Sequence, residues 1–378
     1  MQRATLLFSF LLLISCTAVR QLANEKVENK YDCLDINLMD KFPLVEVSLD
    51  KNSVPFLFDT GAMRSTLIDS LSLPSFKNKK ASSLGDIMGA DGKKIKNRLY
   101  VVSLKSKIFE SDEKVLSFLN MPKSSCTKSN KSYSGILGLD AFFNNQSAMV
   151  LDFSLGKVCT IPSDNLPSIL KTNQYLLVKS RCKYNQVFVY LTIEGKEYQF
   201  KLDTGYTGSI ILPNSKKSTF KNPNKIILQG TLYKTISTIP FGEDILYEKM
   251  PVSFAGIDLE SKATVSESIK AQNLGIDFIK GFDWIIDYNH NKVYVKRNQN
   301  KIESNFSRKG TYYVRVVQEK LVIIIKEKSQ TKYQLGDQIL SVNDQKVSVS
   351  NACELEEFLN KTEDWGAIKL EVLSTSKQ

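Results

Sequence analysis

A single histidine, His290, stands in 378 residues, and that scarcity removes several kinds of chemistry at once. A Ser-His-Asp relay, a Cys-His pair and a histidine-rich zinc site each lack their main ingredient. His290 itself falls in the polar turn 288–291 and reads as solvated. Long uncharged apolar runs are missing after residue 14, so no later segment is suited to span a bilayer as a helix. The six cysteines show no metal-ligand spacing, so neither a metal site nor a cofactor is expected. Five of them (Cys33, Cys126, Cys159, Cys182 and Cys353) follow Cys16, an odd number whose pairing does not follow from the sequence. The 40 acidic residues are outnumbered by 51 lysines and arginines, a net charge of +11, but the basic residues lie along the whole length with only short runs at 77–80 and 93–96. That scatter describes a solvated surface and does not favour nucleic acid as a partner. Long-range attraction of an acidic substrate is the other electrostatic reading.

What is present is the composition of a globular chain, 42% hydrophobic and 24% charged, long enough for two or three domains. The N-terminus departs from it. Arg3 precedes the apolar stretch 6–14, which is too short for a transmembrane helix and reads as the core of a secretory signal. Leu13-Ile14-Ser15-Cys16 resembles the lipobox of bacterial lipoproteins, which implies cleavage before Cys16, lipidation of that residue and attachment to a membrane of the bacterial cell envelope. Plain cleavage nearby is the alternative. Residues 1–16 are therefore assigned to the signal and 17–39 to a tether or short prosegment.

The chain then repeats itself. Leu44 to Leu49 alternates apolar residues, a polar turn follows, and Val54-Pro55-Phe56-Leu57-Phe58 runs into Asp59-Thr60-Gly61. Phe188 to Ile193, a turn and Tyr198 to Leu202 run in the same way into Asp203-Thr204-Gly205. The two tripeptides are 144 residues apart, and the same offset without a gap carries Ser65 onto Ser209, Leu67 onto Ile211 and Ile68 onto Leu212. Each unit closes alike, Gly135-Ile136-Leu137-Gly138-Leu139-Asp140 matching Asn273-Leu274-Gly275-Ile276-Asp277. The pattern predicts a hairpin before each Asp and a buried strand, short helix and final strand after it.

Two facing carboxylates can divide the work of hydrolysis, one deprotonating water and the other protonating the carbonyl oxygen. Held close together they share one proton. Glycine allows two such turns to approach, and threonine supplies a hydroxyl for a cross-turn hydrogen bond. On these residues, 40–297 resembles the retropepsin and pepsin group of aspartic peptidases, with both lobes on one chain (40–162 and 175–298). The resemblance implies mainly β architecture, two β-barrel lobes related by a pseudo-twofold axis, and cleavage of a peptide or protein substrate by a monomer. It makes Asp59 and Asp203 catalytic and gives Thr60, Gly61, Ala62, Thr204, Gly205, Gly138 and Gly275 supporting places. Ala62 follows the retropepsin pattern and implies a less acidic optimum than pepsin-like enzymes have, whereas Tyr206 and Asn273 depart from the pattern. Residues 87–92, with Gly89 and Gly92, suit the tip of a substrate-covering flap or an ordinary hairpin, and 228–233 occupies the matching interval of the second unit. A catalytically silent peptide-binding protein and a dimer pairing Asp59 with Asp59 are the competing readings.

From about residue 305 the pattern changes. Leu335-Gly336-Asp337-Gln338-Ile339-Leu340-Ser341-Val342-Asn343 resembles the core of bacterial PDZ domains, implying a small α/β module over 305–378. Its helix is expected at 352–360 with Leu355, Phe358 and Leu359 inward, and its last strand at 368–372. Such modules take a peptide C-terminus by strand addition, but no glycine-rich carboxylate loop is evident, and a packing role is the alternative.

Overall fold

The computed structural model describes residues 25–374, apart from residues 40, 69–82, 120–125, 127–132, 144–145, 215–219, 234, 236–238 and 307–309. The export signal 1–16 with Cys16, the first part of the tether and the lysine run 77–80 lie outside the described residues. The chain is mainly β. No helix among the described residues is long and apolar enough to cross a membrane.

Both hairpins form where apolar alternation demands them. In Phe42–Leu49 the side chains of Val45, Val47 and Leu49 are buried while Glu46 is exposed, and in Gln186–Ile193 Val187, Val189, Leu191 and Ile193 are buried. Each strand turns into its partner through two residues of positive φ, Asp50 and Lys51 in the first hairpin, Glu194 and Gly195 in the second. This geometry matches the right-handed twist of the flanking strands. The partners, Asn52–Phe58 and Lys196–Asp203, end at the two Asp-Thr-Gly turns. A nine-stranded sheet surrounds the first turn and a thirteen-stranded sheet the second.

The final strands of each unit leave those sheets. Ser147–Asp152 pairs with Phe282–Asp287 through Met149 opposite Ile286 and Leu151 opposite Trp284, forming the centre of a separate six-stranded sheet that joins the two halves. Trp284 is fully buried and its indole N–H donates to the Ile279 carbonyl at 2.9 Å. One hydrophobic core runs through both halves and includes Phe58, Leu137, Leu202, Leu274 and Trp284. Each such side chain contributes about 1.5–3 kcal/mol by leaving water.

The tether assignment is corrected from residue 28 onward. Glu28–Asn29, Cys33–Asp35 and Asn37–Met39 each pair with a strand of the body. Leu34 and Ile36 are buried, and Cys33 is disulfide-bonded to Cys159. These contacts supply the apolar burial that the polar composition of 17–39 concealed.

The C-terminal residues build their own core around Tyr312, Leu321, Ile339, Leu359 and Trp365. The helix runs Ala352–Lys361 and the last strand Leu370–Leu373. Leu355 and Leu359 point inward as expected, but Phe358 is 45% exposed, because the strands meet a narrower stripe of the helix than the spacing suggested. A strand pairing and a disulfide help fasten this unit to the rest. The strand Lys320–Glu327 extends the second half's sheet by pairing with Lys225–Gly230, and Cys353 on the helix forms a disulfide with Cys126.

On the other edge of Tyr312–Val317, helix side chains occupy the backbone. The Val314 N–H donates to Asn360 Oδ1 at 2.9 Å, Asn360 Nδ2 donates to the Val314 carbonyl at 3.0 Å, and the Val316 N–H donates to Glu356 Oε2 at 2.6 Å.

Candidate active site

Each Asp strand runs parallel to its closing strand, Leu57 opposite Ile136 in the first unit and Leu202 opposite Leu274 in the second. The two Asp-Thr-Gly turns then interlock. The Thr60 N–H donates to Thr204 Oγ1 at 3.0 Å and the Thr204 N–H to Thr60 Oγ1 at 3.0 Å. Each hydroxyl passes its own proton across to the opposite strand, Thr60 to the Leu202 carbonyl at 3.0 Å and Thr204 to the Phe58 carbonyl at 2.7 Å. Both threonines are fully buried, so every donor in this square is paired away from water.

That square brings the carboxyl groups together. A Cβ on Gly61 would lie 2.4 Å from Asp203 Cγ, and one on Gly205 would lie 2.5 Å from Asp59 Cγ. Glycine is required at both places because the opposite carboxyl fills the space of a side chain. Asp59 Oδ1 accepts the Gly61 N–H at 2.8 Å, and Asp203 Oδ1 accepts the Tyr206 N–H at 3.0 Å. Burial, and next the charge of Asp203, push the Asp59 carboxyl up to about 7, against the pull of Lys201. A carboxyl that keeps its proton beside a second carboxyl can donate to a carbonyl oxygen while its neighbour takes a proton from water.

The supporting glycines have steric reasons of their own. A Cβ at Gly138 would meet the Ala62 carbonyl oxygen at 2.8 Å, and one at Gly275 would meet the Gly208 carbonyl oxygen at 2.3 Å. The residues that follow tie the turns down in matching ways, Leu139 N–H to the Ala62 carbonyl at 3.2 Å and Ile276 N–H to the Tyr206 carbonyl at 2.9 Å. Gly89 and Gly92 stand at a hairpin tip closed by a Gly92 N–H to Gly89 carbonyl bond of 2.9 Å. The tip rests on the second half, where the N–H groups of Lys270 and Ala271 both donate to the Ala90 carbonyl, at 2.9 and 3.1 Å.

Asn273, which departs from the pattern, takes a direct part in the site. Asn273 Nδ2 donates to Asp203 Oδ2 at 2.5 Å, and its strand pairs in the same parallel register as the first unit's. Tyr206 is also accommodated, its ring lying 6.5 Å from that of Tyr233.

Sequence reasoning missed three features. Lys201 Nζ donates to the Gly61 carbonyl at 2.9 Å and stands 3.7 Å from Asp203 Oδ2. Tyr133 lies near enough to Asp59 for that charge to add to burial in pushing its phenol up. A buried ion pair recurs in each half, Lys114 with Asp140 at 2.7 Å and Lys262 with Asp277 at 2.5 Å. Comparing the two copies position by position flags Lys201, because Leu57 stands at its counterpart.

The threonine square predicts a stability effect. Thr60→Val leaves the Leu202 carbonyl and the Thr204 N–H without these partners, an expected loss of about 2–4 kcal/mol in urea unfolding. Thr204→Val should cost as much, and the double variant less than the sum. Losses under about 0.5 kcal/mol for both would show that the square does not hold the turns.

No protein-family model and no curated protein matches the chain.

Proposed function

We infer that the chain is an aspartic endopeptidase of the retropepsin and pepsin type, with two lobes related by a pseudo-twofold axis and Asp59 and Asp203 as its catalytic pair. The observation that carries this reading is the reciprocal packing of each carboxyl on the other turn's glycine, over a buried threonine square. The matched Lys–Asp ion pairs and the matched closing strands support two copies of one unit. Both turns come from one chain, which favours a catalytic monomer, and the contact of the 83–105 hairpin tip with Lys270 and Ala271 supports a flap role for it.

Hydrolysis in this reading needs no covalent enzyme intermediate. Cleaving an unstructured protein in 18O-water should place one 18O atom in each new C-terminus, hydroxylamine should trap no acyl group, and a statine-containing peptide should inhibit. A trapped acyl-enzyme would refute the reading. Because Asp59 holds its proton up to about 7, kcat/KM should decline on the alkaline side near that value. A profile already falling above about pH 3 would contradict the assignment.

The C-terminal unit is proposed as a PDZ-like module with a packing role. Asn360 and Glu356 already occupy the strand edge at which a peptide would add, and the strand Lys320–Glu327 pairs with Lys225–Gly230 of the second half's sheet. Titrating free-C-terminal peptides into the whole protein should give no saturable binding at this module. Deleting 305–378 should lower the thermal midpoint and promote association through the exposed strand edge. A Kd tighter than about 100 μM that is altered by Glu356→Ala would overturn the packing role.

The lipobox-like Cys16 and the disulfides Cys33–Cys159 and Cys126–Cys353 support export to an oxidising compartment, with lipid attachment to the cell envelope.

A further inference from the structure

At one pair of facing positions shared by the two registers, the residues change from apolar to polar. In the first unit Leu57 on the Asp strand lies opposite Ile136 on the closing strand. In the second the same places hold Lys201 and Asn273. The duplicated frame therefore sets one carboxyl beside an apolar pair and the other beside a cation and an amide.

Of the two carboxyls, Asp203 is the one these polar groups contact, although the charge of Lys201 also pulls the Asp59 carboxyl down. Its Oδ2 accepts from Asn273 Nδ2 at 2.5 Å and lies 3.7 Å from Lys201 Nζ, while its Oδ1 accepts the Tyr206 N–H. Asn273 is 3% exposed and the Lys201 side chain 17%, so water screens them weakly. Lys201 is held in place by its bond to the Gly61 carbonyl of the opposite turn. Asp59 receives the Gly61 N–H and shares a hydrogen bond with the Asp203 carboxyl. Among the described residues, the titratable groups that bear on the pair are thus Lys201 from the second Asp strand and Tyr133 from the segment before Gly135.

We propose that Lys201 and Asn273 are positioning residues that make the two carboxyls inequivalent, holding the negative charge on Asp203 and the proton on Asp59 before substrate arrives. The inference rests on the peptidase reading. Asp203 then takes a proton from water as the water oxygen bonds to the scissile carbonyl carbon, and Asp59 gives its proton to the carbonyl oxygen. As the C–N bond breaks, Asp203 passes the acquired proton to the leaving nitrogen and Asp59 recovers its own from a diol hydroxyl. Atoms and charges balance without a further reactant.

Making the second unit like the first tests this. Lys201→Leu and Asn273→Ile should each move the acid limb of the kcat/KM profile up by about one pH unit or more, because the charged form of Asp203 loses a cation or a donor. Lys201→Arg should restore the wild-type profile, and Lys201→Gln should reproduce the shift if the leucine variant folds poorly. Carboxyl 13C NMR of the full chain, assigned with Asp59→Asn and Asp203→Asn, reads the same shift independently of turnover. Lys201 and Asn273 also line a cavity of about 550 Å3 with Gln199 and Lys270. A role limited to substrate binding would change KM for acidic peptides and leave limb and titration unmoved, which overturns the proposal. Equal titration of the two carboxyls in a chain that cleaves peptides likewise defeats it. Unequal titration in a chain that cleaves nothing would defeat the peptidase reading while leaving the charge assignment standing.

Discussion

Replacing either Asp59 or Asp203 by Asn is expected to lower peptide cleavage by at least about a thousandfold with the fold retained, because each proton transfer loses its only carboxyl. Retention of more than about a tenth of the wild-type rate in either variant would remove the pair from the mechanism. The two substitutions should differ in stability. Asp59 holds its proton up to about 7 against an ordinary 3.8, chiefly through burial and secondly through the charge of Asp203. Between those values the folded chain binds a proton that the unfolded chain releases. This contribution to stability is therefore complete below about pH 4 and is lost as pH rises through about 7, a few kcal/mol in all. Asn at position 59 bears no charge at any pH. Its thermal midpoint should exceed the wild type's at about pH 8 and converge with it near pH 4. A wild-type midpoint indifferent to pH over that interval would argue against a protonated Asp59.

Gly61→Ala and Gly205→Ala carry the second large effect. The added methyl carbon would stand 2.4 Å from Asp203 Cγ in one variant and 2.5 Å from Asp59 Cγ in the other. No rotation of the new side chain relieves a Cβ contact, so the turns must separate or the facing carboxyl must swing aside. Overpacking of this severity costs about 3 kcal/mol or more, and separating the carboxyls should lower kcat at least about a hundredfold. Gly195 provides the comparison, since its φ is +78° and an added Cβ meets nothing within 4 Å. Gly195→Ala should cost about 1 kcal/mol for backbone strain alone and leave kcat unchanged. Equal losses at Gly61 and Gly195 in parallel urea titrations would mean that the carboxyls do not pack on the glycines.

Much of this arrangement was legible in the chain because duplication writes the same local physics twice. Alternating Val45, Val47 and Leu49, and again Val187, Val189 and Leu191, announced the hairpins, and Thr-Gly after each Asp announced close approach. The joining sheet was less visible, since strands such as Phe282–Asp287 are buried on both faces and carry no alternation to show which partner they choose. The strand at Cys33–Asp35 escaped notice because three residues with one buried leucine make a weak signal until a long-range partner arrives. Asn273 stood out only as a departure from the pattern for a related reason. A polar residue in an apolar strand reads as a defect when its partner, Asp203, lies 70 residues away in sequence. Lys201 was hidden because other residues of its strand, such as Tyr198 against Val54 and Gln199 against Pro55, also differ from their counterparts.

The disulfides also determine how the chain bears tension. A pull applied between the described ends reaches Cys126 from Cys33 either along the backbone or through Cys159, and crosses from Cys126 directly to Cys353. By either route the stretch from Cys159 to Cys353, which holds the second Asp-Thr-Gly turn, is outside the load path. The peptide chain of the second half is thus shielded mechanically, and force applied at the ends acts on the strands of the first half and on the C-terminal helix and last strand.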